Sequence, residues 1–311
     1  MDLIINFNKP GNISSQQAVT KLKRFFAVKK AGHTGTLDPL ATGVLIVCLN
    51  EATKIARFLS ELDKEYVARL KLGERTDTYD STGTITEEKD YRPVKEADIC
   101  RTLEKLTGYV QQIPPMYSAV KIGGKPLYKL ARKGIEIERP ERSVHISRID
   151  IMSFRLPYLE FRVSCSKGTY IRTLCDEIGK DLGVGAHMVS LQRTRVGNFG
   201  IENSVSIEDL QDKKDLYYSI DAVLSNLSEI ILDEDSYRKA RNGIPIRVSN
   251  HTPSIFQEQN KGYRDQLYQT QYVRLKSPEK MLFGIGRSED GEIKIERLLN
   301  MSSEESIRDN R

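Results

Sequence analysis

Residues Val44 to Leu49 read Val-Leu-Ile-Val-Cys-Leu, an unbroken apolar run that follows a segment, Lys29 to Gly43, rich in glycine, threonine and proline. A short apolar run of this kind suits a buried strand, and the segment before it reads as an ordered loop. A chain that contains such a pair needs a sheet with cover on it. The neighbouring sequence supplies both. Ser14 opens Ser-Ser-Gln-Gln with Gln17 three residues on, a capping-box start, and Ala18, Val19, Leu22, Phe25 and Phe26 then recur at helical spacing. A basic amphipathic helix of about a dozen residues is predicted there. Ala52, Ile55, Ala56, Leu59 and Leu62 mark a second helix, and Tyr66, Ala68, Leu70 and Leu72 alternate as the buried face of a strand, which turns Tyr66 inward.

Further along, Ile99, Leu103 and Leu106 predict another helix. Gln111 to Pro140 is a long basic insertion bearing proline and glycine, with a short helical stretch around Tyr128 to Arg132; loops of that length are uncommon unless they have a function or lack order. Leu159, Phe161, Val163 and Cys165 alternate into a strand that breaks at Gly168, and Tyr170 to Leu182 can form a helix with Leu174, Ile178 and Leu182 inside. Strands and helices mixed without a strict βαβ rhythm indicate an α+β domain. Near Ser225 the pattern changes: a strand at Ile230 to Leu232, a short helix from Asp235 to Asn242 closed by Gly243, and three close strands at Gln271 to Lys276, Met281 to Arg287 and Ile293 to Leu299. These predict a small β-rich module, with a frayed polar tail behind it.

At 311 residues and 39% hydrophobic, the chain can bury one large core and a smaller second one. It has neither an apolar run near the roughly 20 residues that span a bilayer nor a charged-then-apolar start, so a soluble cytoplasmic protein is expected. Cys48, Cys100, Cys165 and Cys175 form no Cys-x-x-Cys pair, and His33, His145, His187 and His251 lack ligand spacing. Reduced thiols and no metal are expected.

The net charge of +5 matters less than its distribution. From Leu3 to Leu37 stand Lys9, Lys21, Lys23, Arg24, Lys29 and Lys30 with no acid, where the chain's average would put about five. From Pro114 to His145 stand Lys121, Lys125, Lys129, Arg132, Lys133, Arg139 and Arg142 against Glu136, Glu138 and Glu141. Two local positive surfaces on an otherwise net acidic chain suit a polyanion, although solvated basic faces are common.

Asp38 closes the acid-free stretch, inside Gly-His-Thr-Gly-Thr-Leu-Asp-Pro-Leu-Ala-Thr-Gly. Pro39 biases it towards extended backbone, and Gly32, Gly35 and Gly43 permit close approach or positive φ, so the side chain can be held out of a shaped loop. Ringed by cations, its carboxyl is expected to have a lowered pKa and to serve as nucleophile or base; a turn or cap role before proline is the plainer alternative. Ser166-Lys-Gly-Thr-Tyr-Ile-Arg172 turns from a strand end through glycine into a helix, which suits Arg172 to hold a phosphate or to orient a carboxylate by a bidentate pair. A surface helix position is the alternative for Arg172, and plain core packing for Tyr66.

Taken in order, these segments resemble the TruB-type tRNA pseudouridine synthases. The resemblance rests on Asn8-Lys9-Pro10-Gly11, Gly32 to Gly43 around Asp38, Asp63-Lys-Glu-Tyr66, Arg75-Thr-Asp-Thr78, Pro114 to Lys121, Gly168-Thr-Tyr-Ile-Arg172 and Gly185-Ala-His187 with Leu191. It covers about Leu3 to Leu210. The module behind is similar to a PUA RNA-binding domain, through Asn242-Gly243 and Leu282-Phe-Gly-Ile-Gly286.

The resemblance implies a mixed, largely antiparallel sheet in a catalytic domain over residues 1–225, with the basic insertion at 114–142 gripping RNA, a small β-barrel-like PUA domain over 229–302, and a tail at 303–311. It implies isomerisation of uridine to pseudouridine at position 55 in the tRNA T-loop, by base flipping, without cofactor, metal, guide RNA or obligatory protein partner, by a monomer. Asp38 would attack the ribose or take a ribose proton. Tyr66 would pack on the base and help remove the C5 proton, and Arg172 would pair with Asp38. His33 would contact the flipped region, with Lys9, Pro10, Tyr170 and Leu191 lining the pocket. The rivals are an RNA-binding or tRNA-folding module without catalysis, separated by an Asp38→Asn variant, and a nucleoside hydrolase, which would release free uracil.

Overall fold

The computed structural model describes residues 1–213, 216–247 and 271–300. In chain order the first half comprises β1 (Leu3–Lys9), α1 (Ser15–Phe25), β2 (Ala31–His33), β3 (Thr42–Leu49), a 3-10 turn (Asn50–Ile55), α2 (Ala56–Ser60), β4 (Lys64–Leu72), β5 (Glu74–Thr76), β6 (Ile85–Glu88), α3 (Glu96–Lys105) and β7 (Gly108–Gln112). The insertion carries β8 (Lys121–Ile122), β9 (Lys125–Pro126) and α4 (Leu127–Ala131). Then follow β10 (Arg142–Arg155), β11 (Tyr158–Cys165), α5 (Ile171–Asp181), β12 (Ala186–Val196), β13 (Phe199–Gly200), β14 (Tyr217–Ser219) and α6 (Ile220–Val223). The last segment comprises β15 (Ser228–Ile231), α7 (Glu234–Arg241), β16 (Ile246–Arg247), β17 (Tyr272–Lys276), β18 (Leu282–Glu289) and β19 (Glu292–Leu298).

Eight strands run in the order β14-β1-β3-β12-β4-β11-β10-β7, with β13 beside β12 and β2 beside β3. Among the described strands only β3 against β12 pairs in parallel in this sheet, so it is mixed and largely antiparallel, as the resemblance implies. The local reasons match too. Ser14 accepts from the Gln17 amide and the Gln17 side chain returns to the Ser14 N–H, which closes the capping box of α1. Ala18, Val19 and Leu22 of that helix pack into the core with Phe7, Leu45, Val47, Tyr66, Ala68, Phe161 and Leu174. Burying such side chains is worth about 1.5–3 kcal/mol each, and this face holds the helices on the sheet.

The predicted helix over 52–62 is instead a 3-10 turn followed by the five-residue α2. Five of the eight strands along the main sheet carry no reading in the sequence: β1, β7, β10, β12 and β14. β2 lies inside the stretch read as loop. β12 shows why: bulges interrupt its pairing with β4 between Met188 and Ser190 and between Arg193 and Arg195, and each extra residue breaks the period-2 pattern.

The C-terminal strands form a separate five-stranded sheet in the order β15-β17-β18-β19-β16, around Ile230, Val273, Leu275, Phe283 and Ile293. Its other side joins the main body, because Tyr272, Leu282, Ile285 and Leu299 share a cluster with Ile46, Ile55, Leu59 and Phe199. Arg57 reinforces this seam with an ion pair to Glu296 at 2.8 Å and a stack over Phe58 and Tyr272. The expected tail at 303–311 lies outside the described residues.

Candidate active site

Four strands bring distant residues into one row. Lys9 of β1 pairs with Gly43 of β3, Gly43 with Arg193 of β12, and Arg193 with Tyr66 of β4. Directly opposed residues in a ladder share a face, so this row lies on the helix-covered side with Leu191 and Val163. Gly43 is the position where only glycine fits: its φ is +97°, and a Cβ would stand 2.2 Å from the Arg193 carbonyl oxygen. That close approach lets the loop carrying Asp38 enter β3 directly beside the row.

Arg172 comes from the opposite side, at the start of α5. Its Nε lies 2.8 Å from Oδ2 of Asp38, and its Nη2 donates to Oδ1 at 3.3 Å. The rest of the guanidinium is committed as well. Nη1 donates to the Thr78 carbonyl and to Oδ2 of Asp80, at 3.3 and 3.4 Å, and Nη2 donates to the Tyr117 carbonyl at 2.8 Å. Arg172 and Asp80 side chains are 5% and 4% exposed, whereas Asp38 keeps 31%, so the carboxylate faces outward on a buried mount. A forked cation held at four points fixes the carboxylate's direction in a way a single ammonium would not.

The expected lowering of the Asp38 pKa is overturned. Loss of hydration pushes it above the ordinary carboxylate value; Arg172 and Lys9 pull it down, but Asp80 adds a like charge that pushes with the burial. The cations near it are real, yet Arg172 also serves Asp80.

The other predicted residues surround this pair. Lys9 is wholly buried; its Nζ donates to the carbonyls of Pro10, Ile13 and Pro39 at 2.9, 2.8 and 3.4 Å, tying β1 to the residue after Asp38. Burial lowers its pKa to about 8. Pro10 itself is exposed beside it. Tyr66 is buried, and burial raises the pKa of its phenol, opposed by the charge of Arg193. His33 is half-buried on β2, its pKa lowered by burial and then by Arg193, and its Nδ1 has no partner among the described residues. Tyr170 caps α5 and joins the insertion: its N–H donates to Gln112 Oε1 at 3.0 Å, and burial raises the pKa of its phenol. Leu191 is buried on β12 opposite Ala68.

Two residues were missed. Asp80, three residues beyond Asp77, becomes a partner of Arg172 only through the turn between β5 and β6. Arg193, 2% exposed, is among the largest fully buried side chains; its Nε donates to the Val44 carbonyl at 2.6 Å and its Nη2 to Gly35 at 3.0 Å. Its signal was the two-residue step from Leu191, which puts both on one face. Among the described residues no group of three or more His, Cys, Asp or Glu side chains is arranged to hold a metal ion, and no helix is long and apolar enough to cross a membrane.

A carboxylate on a rigid cationic mount, with a buried phenol on the adjoining row, can act on a sugar carbon and on a proton of the base attached to it. Comparison with known proteins agrees with such chemistry. Residues 23–171 match the family model described as TruB family pseudouridylate synthase (N terminal domain), and residues 172–237 match that of the tRNA pseudouridylate synthase B C-terminal domain. The chain is 43% identical over 301 residues to a tRNA pseudouridine synthase B of Clostridium tetani, covering 96% of this chain and 100% of the relative. It is 38% identical to one of Haemophilus influenzae, covering 97% of each. Among solved structures, the fold is shared with a crystal structure of a Cbf5-Nop10-Gar1 complex, at a TM-score of 0.67 and 24% identity, over 95% of this chain and 84% of that one.

Proposed function

This chain belongs to the TruB family of pseudouridylate synthases, and from that premise we propose that it converts the T-loop uridine of tRNA, position 55, to pseudouridine as a stand-alone cytoplasmic enzyme. The names of the curated relatives support tRNA as substrate. The observation that carries the chemistry is the side-on pair of Asp38 and Arg172, one-third exposed on the carboxylate side and closed on the other.

A base stacked in RNA cannot be turned over in place. The nucleotide must leave its stack, at a few kcal/mol, and be received by an aromatic face. Tyr66 provides that face, with Leu191 and Tyr170 around it and His33 at the rim. Asp38 then acts on the ribose, by attack on the sugar carbon or by removal of a ribose proton; on either route the N-glycosidic bond breaks, the uracil turns, and a bond forms from the sugar to C5. The C5 proton is lost last, to Tyr66, and N1 takes up a proton in its place. Lys9 and Pro10 close the side opposite Arg172. The basic segment 114–142 and Lys21, Lys23 and Arg24 of α1 supply contacts to the phosphates. The C-terminal sheet acts as a PUA-like RNA-binding module, over 229–302, beside a catalytic domain of residues 1–225.

The test is to incubate the pure protein with unmodified tRNA and map pseudouridine by mass spectrometry after derivatisation, since the isomerisation leaves the mass unchanged. Product at position 55 is expected. Product absent from that position, or free uracil released instead, would overturn the reading.

A further inference from the structure

We infer that Arg193 is a positioning residue for the reaction, acting through Tyr66: its guanidinium stands beside the phenol across the β12–β4 pair and orients the oxygen that takes the C5 proton. The inference rests on the role proposed above for Tyr66.

Three observations carry it. Arg193 and Tyr66 are opposed in the β12–β4 ladder and share the covered face, so their side chains are neighbours by register. The fork is anchored at its other end: of its five N–H groups, one goes to the Val44 carbonyl and one to Gly35, both at the ends of the segment that holds Asp38. Third, no carboxylate lies within ion-pair distance of Arg193 among the described residues, because Asp38 and Asp80 both pair with Arg172.

A tie between strands needs only neutral donors. Burying a guanidinium with no counter-charge is costly, so a buried cation against a phenol is better explained by what the charge does there. Its field reaches the whole row: Arg193 helps lower the proton affinity of Lys9, His33 and Lys64, and it draws the Tyr66 phenol down against the effect of burial. In the step it assists, the C5 proton passes to the oxygen of Tyr66, the C5–H electron pair closes the C5–C6 double bond of the uracil, and the N1–C6 π pair returns to N1. N1 takes up a proton through water in place of the one lost from C5, so the isomerisation releases none. Arg193 neither gains nor loses a proton.

The test uses single turnover of T-stem-loop RNA carrying either uridine or uridine deuterated at C5, with Arg193→Met, Arg193→Lys and Tyr66→Phe. Arg193→Met should slow product formation on the order of 10- to 100-fold at saturating enzyme, and its deuterium isotope effect should rise above that of the wild type, because C5 deprotonation becomes limiting. Arg193→Lys should recover part of the rate, and Arg193→Met should add little loss in a Tyr66→Phe background. Wild-type rate in Arg193→Met, or a slow rate with an unchanged isotope effect, would overturn the inference while Tyr66→Phe remains impaired. A Tyr66→Phe protein of undiminished rate removes the reading of Tyr66 and this inference with it. Should Arg193→Met not fold, the same isotope measurement on Arg193→Lys carries the test.

Discussion

Arg172 meets Asp38 side-on, Nε to Oδ2 at 2.8 Å and Nη2 to Oδ1 at 3.3 Å, while the same guanidinium reaches Asp80 and the carbonyls of Thr78 and Tyr117. One cation therefore joins the catalytic loop, the turn after β5 and the basic insertion. The carboxylate is aimed by the fold, not by its own loop.

Asp38→Asn keeps the size and loses the charge. Pseudouridine formation should fall by at least about 10²- to 10⁴-fold, with tRNA binding retained in a filter assay. Full activity in this variant would remove Asp38 from the chemistry.

Arg172→Lys tests the fork against the charge. A lysine ammonium keeps a cation in the buried position but cannot span both carboxylate oxygens and Asp80. The rate should drop about 10- to 100-fold, and the melting curve should move as well, by about 2–4 kcal/mol, because buried Asp80 loses part of its counter-charge. A rate equal to that of the wild type would show that charge alone suffices.

Asp80 pushes the Asp38 pKa upward, together with burial. The reaction needs the carboxylate, so activity should fail on the acid side at a pH above the ordinary carboxylate range. Asp80→Asn removes the like charge, and the acid limb of the single-turnover rate should move to lower pH. A limb that stays in place would mean burial alone sets it.

Gly43 and Gly32 make a paired test of the loop. Gly43→Ala places a Cβ against the Arg193 backbone at positive φ and should cost about 2–4 kcal/mol, seen as a lowered urea midpoint. At Gly32 an added methyl group would have nothing within 4 Å of it, so Gly32→Ala should stay within about 1 kcal/mol. Equal losses at both positions would contradict the close approach of β3 and β12.

Lys9 gives a pH dependence of stability. Burial lowers its folded pKa to about 8 against 10.5 for an ordinary lysine, so between these values the unfolded chain holds a proton that the folded chain has released. Stability from this group is lowest below about 8 and recovers as pH rises towards 10.5. The difference in melting temperature between wild type and Lys9→Met should therefore shift in favour of the wild type, by a few °C, from pH 7.5 to pH 10. A constant difference would mean that Lys9 keeps its ordinary proton affinity.

Several local elements are legible in the chain alone: the capping box at Ser14 and Gln17, the alternation that turns Tyr66 inward, the apolar strand after Gly43 and the helix that begins beside Arg172. Each is written in residues a few positions apart, where propensity and period act. The family is legible as well, through motifs in a fixed order around Asp38. Which of these parts meet is settled only in the folded molecule. Lys9, Gly43, Arg193 and Tyr66 form a row because four strands distant in sequence pair in one register, and β12 hides from a period-2 reading behind its bulges. Asp80 joins Arg172 across 92 positions of chain. The direction of the Asp38 pKa followed from those meetings too: a count of nearby cations in sequence records neither the hydration lost on burial nor the second carboxylate that shares the same arginine.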